Sequence, residues 1–461
     1  METHQLFESA LDSKYILHGN QLKDRYSHIW RMDEPLKASC LLLPTSTQEV
    51  SAILKICNDN KLNVVTHGGL TNLVGSTRSE NQDVILSLER MNRIIEINEN
   101  TRTATVEAGV ILENLHNAAE DLSLQFPLNF GAKGSAQIGG IISTNAGGLR
   151  VLKYGMTRQL VLGLEYVLAD GTIISSLKTI IKDNSGYDLK QLMIGSEGTL
   201  GVITKAVLKL VEKPTSRQAA IAGLSDYVNV MKLLKKADAH LSGKLSGFEL
   251  MWNNTFKQLT AAGAHVRPPL ELDHKFYVLL ESQGNDDQTD RRELEKLLEN
   301  MLIEEIVDDA VVASSLSEVE HFFRIREDVS NLTDHMKYDQ HFDISLPIPA
   351  IDDYIATCYK RLEKLDQVDE VYAFGHVADG NIHLMIGKQN DSMELKVEID
   401  QIVYEGLTDL NGSVSAEHGI GVDKRDYLNI SNTTEEIELM KLLKKTFDPN
   451  SILNRGKIFE L

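Results

Sequence analysis

Over its first 210 residues the chain alternates short apolar runs with stretches of helical period. In 46–58 (STQEVSAILKICN), Val50, Ile53, Leu54 and Cys57 fall on one face behind Ser46 or Thr47 as cap and Glu49 in the first turn, which predicts a capped helix. A short buried strand at 62–66 runs straight into His67-Gly68-Gly69, and 83–88, 94–97 and 103–108 read as further strands. Residues 164–168, then Asp170-Gly171, then 172–174 carry a hairpin signal. The pattern breaks at Pro214. Beyond it the spacing predicts a strand at 274–280, a solvated loop at 284–290 (GNDDQTD) and a helix at 291–302. A further helix is expected over 317–335, with Arg326 and Ser330 one turn apart on one face. Residues 340–347 alternate, which sets His341, Asp343 and Ser345 against Phe342, Ile344 and Leu346. Two strands, 372–376 and 382–387, flank the turn Ala378-Asp379-Gly380-Asn381, and 448–454 reads as a turn after a helix. The sum is a mixed α+β fold with two main domains.

Composition narrows the class. The 461 residues carry 47 Lys and Arg against 67 Asp and Glu, a net charge of −20, and no basic block. That balance argues against a nucleic-acid or anionic-membrane partner. No window approaches 18 consecutive apolar residues, so no transmembrane segment is expected. The stretch METHQLFESALDSK lacks both an apolar core and the Arg-rich, acid-free character of a transit peptide. Cys40, Cys57 and Cys358 are scattered and odd in number, which suits a reducing compartment. A cytoplasmic protein is the expectation.

Three glycine-rich segments change the picture. Residues 66–76 (THGGLTNLVGS) bring three glycines to a strand-to-loop transition, a pattern that serves a tight structural turn as well as a phosphate cradle. Residues 131–155 hold seven glycines in 25 positions, and 194–201 (IGSEGTLG) form a third loop. Three such loops in one domain suit a long ligand lying against backbone, such as a dinucleotide. The runs KDNSGYDLKQLMIGSEGTLGVIT and GAKGSAQIGG resemble the vanillyl-alcohol oxidase/p-cresol methylhydroxylase flavoproteins, and within them the D-2-hydroxy-acid dehydrogenases of the D-2-hydroxyglutarate branch, beside the glycolate oxidase and D-lactate dehydrogenase subunits. The likeness runs from about Pro44 to Lys457.

The resemblance implies an FAD-binding domain of two α+β subdomains over 1–213. It implies an α+β substrate or cap domain with an antiparallel sheet over 214–420, and a segment 421–461 that returns to the first domain. FAD would be held without a covalent bond, since Leu70 stands where a covalently attached flavin would find histidine. Its pyrophosphate would meet His67, Gly68, Gly69, Leu70, Thr71, Asn72, Leu73, Gly75 and Ser76. The flavin would lie along Gly131, Lys133, Gly134, Ser135, Gly139, Gly140, Thr144, Asn145 and Gly147, then Glu197, Gly198, Gly201 and Ile203, with Asn454 joining from the end of the chain. Thr66-His67 replaces the usual Pro-Arg, Ser76 replaces a glycine, and Asn454-Arg455-Gly456-Lys457 stands for Asn-Pro-Gly-Lys.

His376 and His383 sit at the two ends of one hairpin turn, where cross-strand neighbours come close enough for two imidazoles to share a metal. Ser415-Ala416-Glu417-His418-Gly419 adds a carboxylate. Two histidines and a carboxylate suit Zn²⁺, and equally Fe²⁺ or Mn²⁺. The resemblance assigns His376, His383 and Glu417 to the metal and His418 to the substrate hydroxyl. A divalent cation would then polarise the alcohol oxygen, His418 would accept its proton as general base, and hydride would pass to flavin N5. It also assigns substrate contacts to Arg326, Ser330, His341 and Met385, where the D-2-hydroxyglutarate branch carries Arg, Thr, Lys and Asn. The titratable His341 and the apolar Met385 undercut a second carboxylate, so D-2-hydroxyglutarate and D-lactate or glycolate both stay open as substrates. The electron acceptor would be a separate electron-transfer flavoprotein or quinone, and a homodimer is compatible with the sequence. Two other classes remain: a non-catalytic flavin-binding subunit, disfavoured by the intact His376, His383, Glu417 and His418 set, and a metal-dependent hydrolase, which a yellow protein would exclude.

Overall fold

The structure is a computed structural model that describes residues 2–30, 35–261 and 267–461. Backbone contacts divide the chain into two compact units, one of Met1–Gly148, Gly155–Lys213 and Glu417–Leu461, the other of Leu149–Tyr154 and Pro214–Ala416.

In the first unit Cys40–Leu42, Val84–Ser87 and Val64–His67 lie parallel in that order, with Ile16–Leu17 antiparallel at the outer edge. Strands buried on both faces need largely apolar runs, and Cys40–Leu42 and residues 84–86 are apolar throughout, while Val64–His67 ends on the polar Thr66 and His67. Helix Thr47–Asn60 buries Val50, Ile53, Leu54 and Cys57; its cap Ser46 accepts from the Glu49 amide at 3.2 Å, and left-handed Lys61 ends it. A second sheet orders Ile94–Asn98, Thr103–Glu107, Val202–Lys209, Val161–Val167 and Ile173–Ser176, all antiparallel. The last two form the hairpin expected at Asp170-Gly171. The end of the chain completes this unit: Ile452 and Leu453 are fully buried, and Leu453 lies beside Val64. Their amides are held by the buried Asp448 carboxylate at 2.9 and 2.8 Å.

The second unit is built on one antiparallel sheet in the order Asp309–Val312, Ser216–Leu224, Phe276–Gly284, Leu245–Trp252, Val368–Gly375, Asn381–Lys388 and Tyr338–Ser345. Leu149–Tyr154 packs into the same unit, with both Arg150 Nε and Nη2 3.2 Å from Glu281 and Lys153 Nζ 2.7 Å from the Gln283 carbonyl. Glu281, almost fully buried, also takes Arg217 and the Ser246 hydroxyl. Burial works to raise its carboxyl, but the two guanidiniums outweigh it and hold the group at about 2.

Two sequence expectations are corrected here. The loop expected at 284–290 shrinks to 285–286: Asp286 caps helix Asp287–Ile303, accepting from the Thr289 amide at 3.0 Å, because acidic side chains stabilise the positive end of a helix. The helix expected over 317–335 stops at Glu327, and Ser330–Thr333 is a separate turn. Asp328 breaks it (φ −79°, ψ 63°) and accepts from Ser330 Oγ at 3.0 Å, a local bond that competes with helical continuation. Arg326 and Ser330 therefore do not share a helix face.

Candidate active site

The first glycine loop is shaped by side chains at its ends. The buried His67 ring lies 3.0 Å from the Thr77 carbonyl, and burial pushes its pKa down to about 4. Asn72 donates to Thr77 Oγ1 at 2.6 Å and accepts from the Ser76 amide at 3.0 Å. Leu70 sits in the left-handed region at φ 58°. Among the described residues, none of the amides from Gly68 to Gly75 makes a hydrogen bond within the chain. Successive amides in that state are donors of the kind that an anion such as a pyrophosphate requires.

The second loop backs onto the first. A Cβ on Gly69 would stand 2.0 Å from the Ser135 carbonyl oxygen, so only glycine permits the approach. Gly131, Lys133, Gly134 and Ser135 form an exposed rim, Gly139 and Gly147 are buried, and Gly140, Thr144 and Asn145 are half-buried. In the third loop Glu197, Gly198, Gly201 and Ile203 are all buried. The Glu197 carboxylate accepts from Ser76 Oγ at 2.7 Å and from the amides of Ile420 and Gly421 at 2.7 and 2.9 Å, while burial raises its pKa. Asn454 ties this together, donating to the Glu197 carbonyl at 2.6 Å and accepting from the Thr66 amide at 3.0 Å. The side chains of His67, Asn72, Ser76, Glu197 and Asn454 thus bind the chain itself and shape the loops. Thr71, Gly75 and the exposed Leu73 complete the first loop.

In the second unit, strands Val368–Gly375 and Asn381–Lys388 form the expected hairpin, with Phe374 opposite His383. The His376 and His383 rings come together, centroids 5.5 Å apart and nearly perpendicular. Each has a buried carboxylate behind it. His376 Nδ1 is 2.5 Å from Glu249 Oε1, and His383 Nδ1 is 3.8 Å from Asp343 Oδ1, directly across the sheet. Asp343 is fully buried and also accepts from Asn381 Nδ2 at 2.7 Å and the Ala416 amide at 3.2 Å. Glu417 and His418 are the next two residues of the chain. Glu249 is almost fully buried and accepts from Arg326 Nε at 2.8 Å, while the guanidinium lies 4.5 Å from the Phe374 ring. Burial works against the charge on Glu249, and His376 and Arg326 more than offset it, so its carboxyl lies below the usual range.

Sequence reasoning assigned no role to Glu249, and none to Asp343 beyond its face of a strand. The available signal for Glu249 was a lone acid inside the apolar strand LSGFELMW. His341 and Met385 are direct partners across their strands. His341 pairs with Asp339, and Met385 packs into the apolar cluster with Tyr372 and Phe374. Ser330 turns toward Asp328.

Comparison with known proteins gives the family. A family described as FAD linked oxidases, C-terminal domain, matches residues 213–458, and an FAD binding domain matches 38–176. The chain is 40% identical over 439 residues to a Schizosaccharomyces pombe protein named for mitochondrial D-lactate dehydrogenase, covering 93% of this chain and 83% of that one. It is 38% identical over 452 residues to the mitochondrial D-2-hydroxyglutarate dehydrogenase of Arabidopsis thaliana, covering 98% and 80%. A crystal structure of p-cresol methylhydroxylase with substrate bound shares the fold, with a TM-score of 0.74 and 16% identity over 99% of this chain and 96% of that one. Both relatives are named as mitochondrial, which overturns the cytoplasmic expectation. Three scattered cysteines do not tell one reducing compartment from another. No helix among the described residues is long and apolar enough to cross a membrane. The chain belongs to the FAD-linked oxidases, in the family whose relatives are named D-2-hydroxyglutarate and D-lactate dehydrogenases, and is an oxidoreductase.

Proposed function

We propose that the protein oxidises a D-2-hydroxy acid to the 2-oxo acid with a divalent cation held by His376, His383 and Glu417, Zn²⁺ first and Fe²⁺ or Mn²⁺ as alternatives. The observation that carries this reading is the pair of close imidazoles, each with its Nδ1 turned to a buried carboxylate. Histidine ligands are commonly oriented in this way, with the far nitrogen directed to the metal. When bound, FAD supplies the two-electron acceptor and the cation supplies Lewis acidity at the substrate hydroxyl. Arg326 holds the substrate carboxylate, and His418 accepts the hydroxyl proton on its imidazole. FAD contacts come from the residues of the three glycine loops, mainly through backbone amides. Electrons leave to a separate acceptor, an electron-transfer flavoprotein or a quinone.

Metal removal tests this directly. Dye reduction by the yellow protein should be lost on incubation with a chelator and restored by one divalent metal, and His376→Ala should purify with less metal. Equal metal content and undiminished turnover in that variant would refute the metal site.

Substrate length is set by His341 and Met385. His341 is engaged by Asp339 and Met385 is apolar, so a second carboxylate is poorly held and D-2-hydroxyglutarate should show no clear advantage over D-lactate in kcat/KM. The double variant His341→Lys/Met385→Asn should move the ratio toward the diacid by about 10-fold or more, the effect of one charged hydrogen bond. A wild-type enzyme that strongly prefers D-2-hydroxyglutarate would contradict this assignment.

A further inference from the structure

We propose that Glu249 is a positioning residue that serves the substrate arginine and a metal-binding histidine with one carboxylate, so that neither can be set without the other. This deepens the proposed function and rests on its assignment of Arg326 and His376.

The geometry divides the labour between two oxygens. Oε1 faces His376 Nδ1 at 2.5 Å, and Oε2 accepts from Arg326 Nε at 2.8 Å. An acceptor at Nδ1 places the ring proton there and directs coordination through Nε2. Engaging only Nε of Arg326 leaves the terminal guanidinium nitrogens to grip a carboxylate as a fork, and the Phe374 ring at 4.5 Å fixes the plane of that fork. The three groups come from distant parts of the second unit. Glu249 lies within strand Leu245–Trp252, Arg326 in the last turn of helix Leu316–Glu327, and His376 just past strand Val368–Gly375. Glu249 is held in place by its surroundings, flanked by Phe248 and the fully buried Leu250 and paired with Leu279 across the sheet. Such an ionised group tolerates burial only with partners on both oxygens.

The test uses the flavin-loaded full chain and two substitutions. Glutamine has the shape of glutamate but one acceptor and one donor end, so Glu249→Gln can serve one of the two N–H donors and must fail the other. Either zinc affinity or KM for the D-2-hydroxy acid should then shift by about 10-fold while its counterpart holds. Glu249→Ala should move both, with zinc affinity down by about 10–100-fold, the usual effect of losing such an outer partner. Zinc affinity is read by competition with a chromophoric chelator, and kcat separately from KM. A purely structural role would lower the active fraction and kcat without moving KM. Should Glu249→Ala not fold, as its melting shows, the isosteric variant carries the test alone. Zinc affinity and KM both within about two-fold of wild type in every folded variant would overturn the proposal.

A failure of the metal reading is distinguishable. A wild-type enzyme with no bound metal and no sensitivity to chelator removes the zinc arm only. The Glu249 assignment then stands or falls on KM and on the His376 tautomer in ¹⁵N-histidine spectra, expected protonated at Nδ1 in wild type and altered in Glu249→Ala. An unchanged tautomer and unchanged KM would overturn it there too.

Discussion

Replacing His418 with alanine is expected to lower kcat by about 10²–10⁴-fold while the flavin stays bound, which is the range a positioned general base contributes. The imidazole sits in a Gly-flanked segment whose backbone is pinned independently of it. Before it, the Ala416 amide is bonded to Asp343 Oδ2 at 3.2 Å. After it, the Ile420 and Gly421 amides are bonded to Glu197 at 2.7 and 2.9 Å. Truncating the side chain should therefore leave the fold and the flavin absorbance near ~450 nm intact. The rising limb of the kcat/KM pH profile, which reports the base losing its proton, should vanish with it. A variant within about ten-fold of wild type, with the same pH profile, would assign the proton to another acceptor.

Replacing Glu281 with glutamine is expected to cost about 3–5 kcal/mol of stability at neutral pH, the penalty for removing one partner of a buried ion cluster. The carboxylate is 1% exposed and neutralises Arg150 and Arg217, whose side chains are 14% and 23% exposed. Its folded pKa of about 2 lies below the ordinary carboxylate value, so the ionised form stabilises the fold. That contribution is complete above about pH 4.5 and is lost as pH falls toward 2. The wild type should therefore lose stability over this interval more steeply than Glu281→Gln, and the two denaturation curves should converge in acid. A difference under about 1 kcal/mol at pH 7 would mean that water or Glu320 already compensates the two arginines. The comparison isolates one group because glutamine preserves both volume and shape.

The candidate site was legible where its chemistry is local in sequence. Gly69 and Gly139 announce themselves because close approach of neighbouring chain, at Ser135 and at Ala108, demands that residue type, and Gly198 because its φ of 71° does. His376 and His383 lie at the ends of one turn, so their meeting follows from a hairpin alone. Glu249 was not legible, since its partners lie 127 and 77 residues away and nothing in LSGFELMW says what its carboxylate will meet. The break at Asp328 escaped for a different reason. It has neither glycine nor proline, and periodicity continues across it while side-chain bonds from Ser330 take over. Of the residues expected to meet FAD, His67, Asn72 and Asn454 turn inward to shape backbone. Composition could not place the protein in a compartment, because a reducing environment is shared by more than one.

Neither unit is continuous in the chain, and this bears on synthesis. Leu149–Tyr154 leaves the ribosome some sixty residues before the rest of its unit, with Arg150 waiting for the strand that carries Glu281. The parallel sheet around Val64–His67 waits longer still, because Ile452 and Leu453 fill its flank and Asn454 ties two of its loops. A nascent chain stalled anywhere before these last residues would hold an unfinished sheet edge and open loops. Such exposed edges favour misassociation, so the chain should depend on chaperones until residues 452–454 have been made and should bind flavin only once they have packed into place.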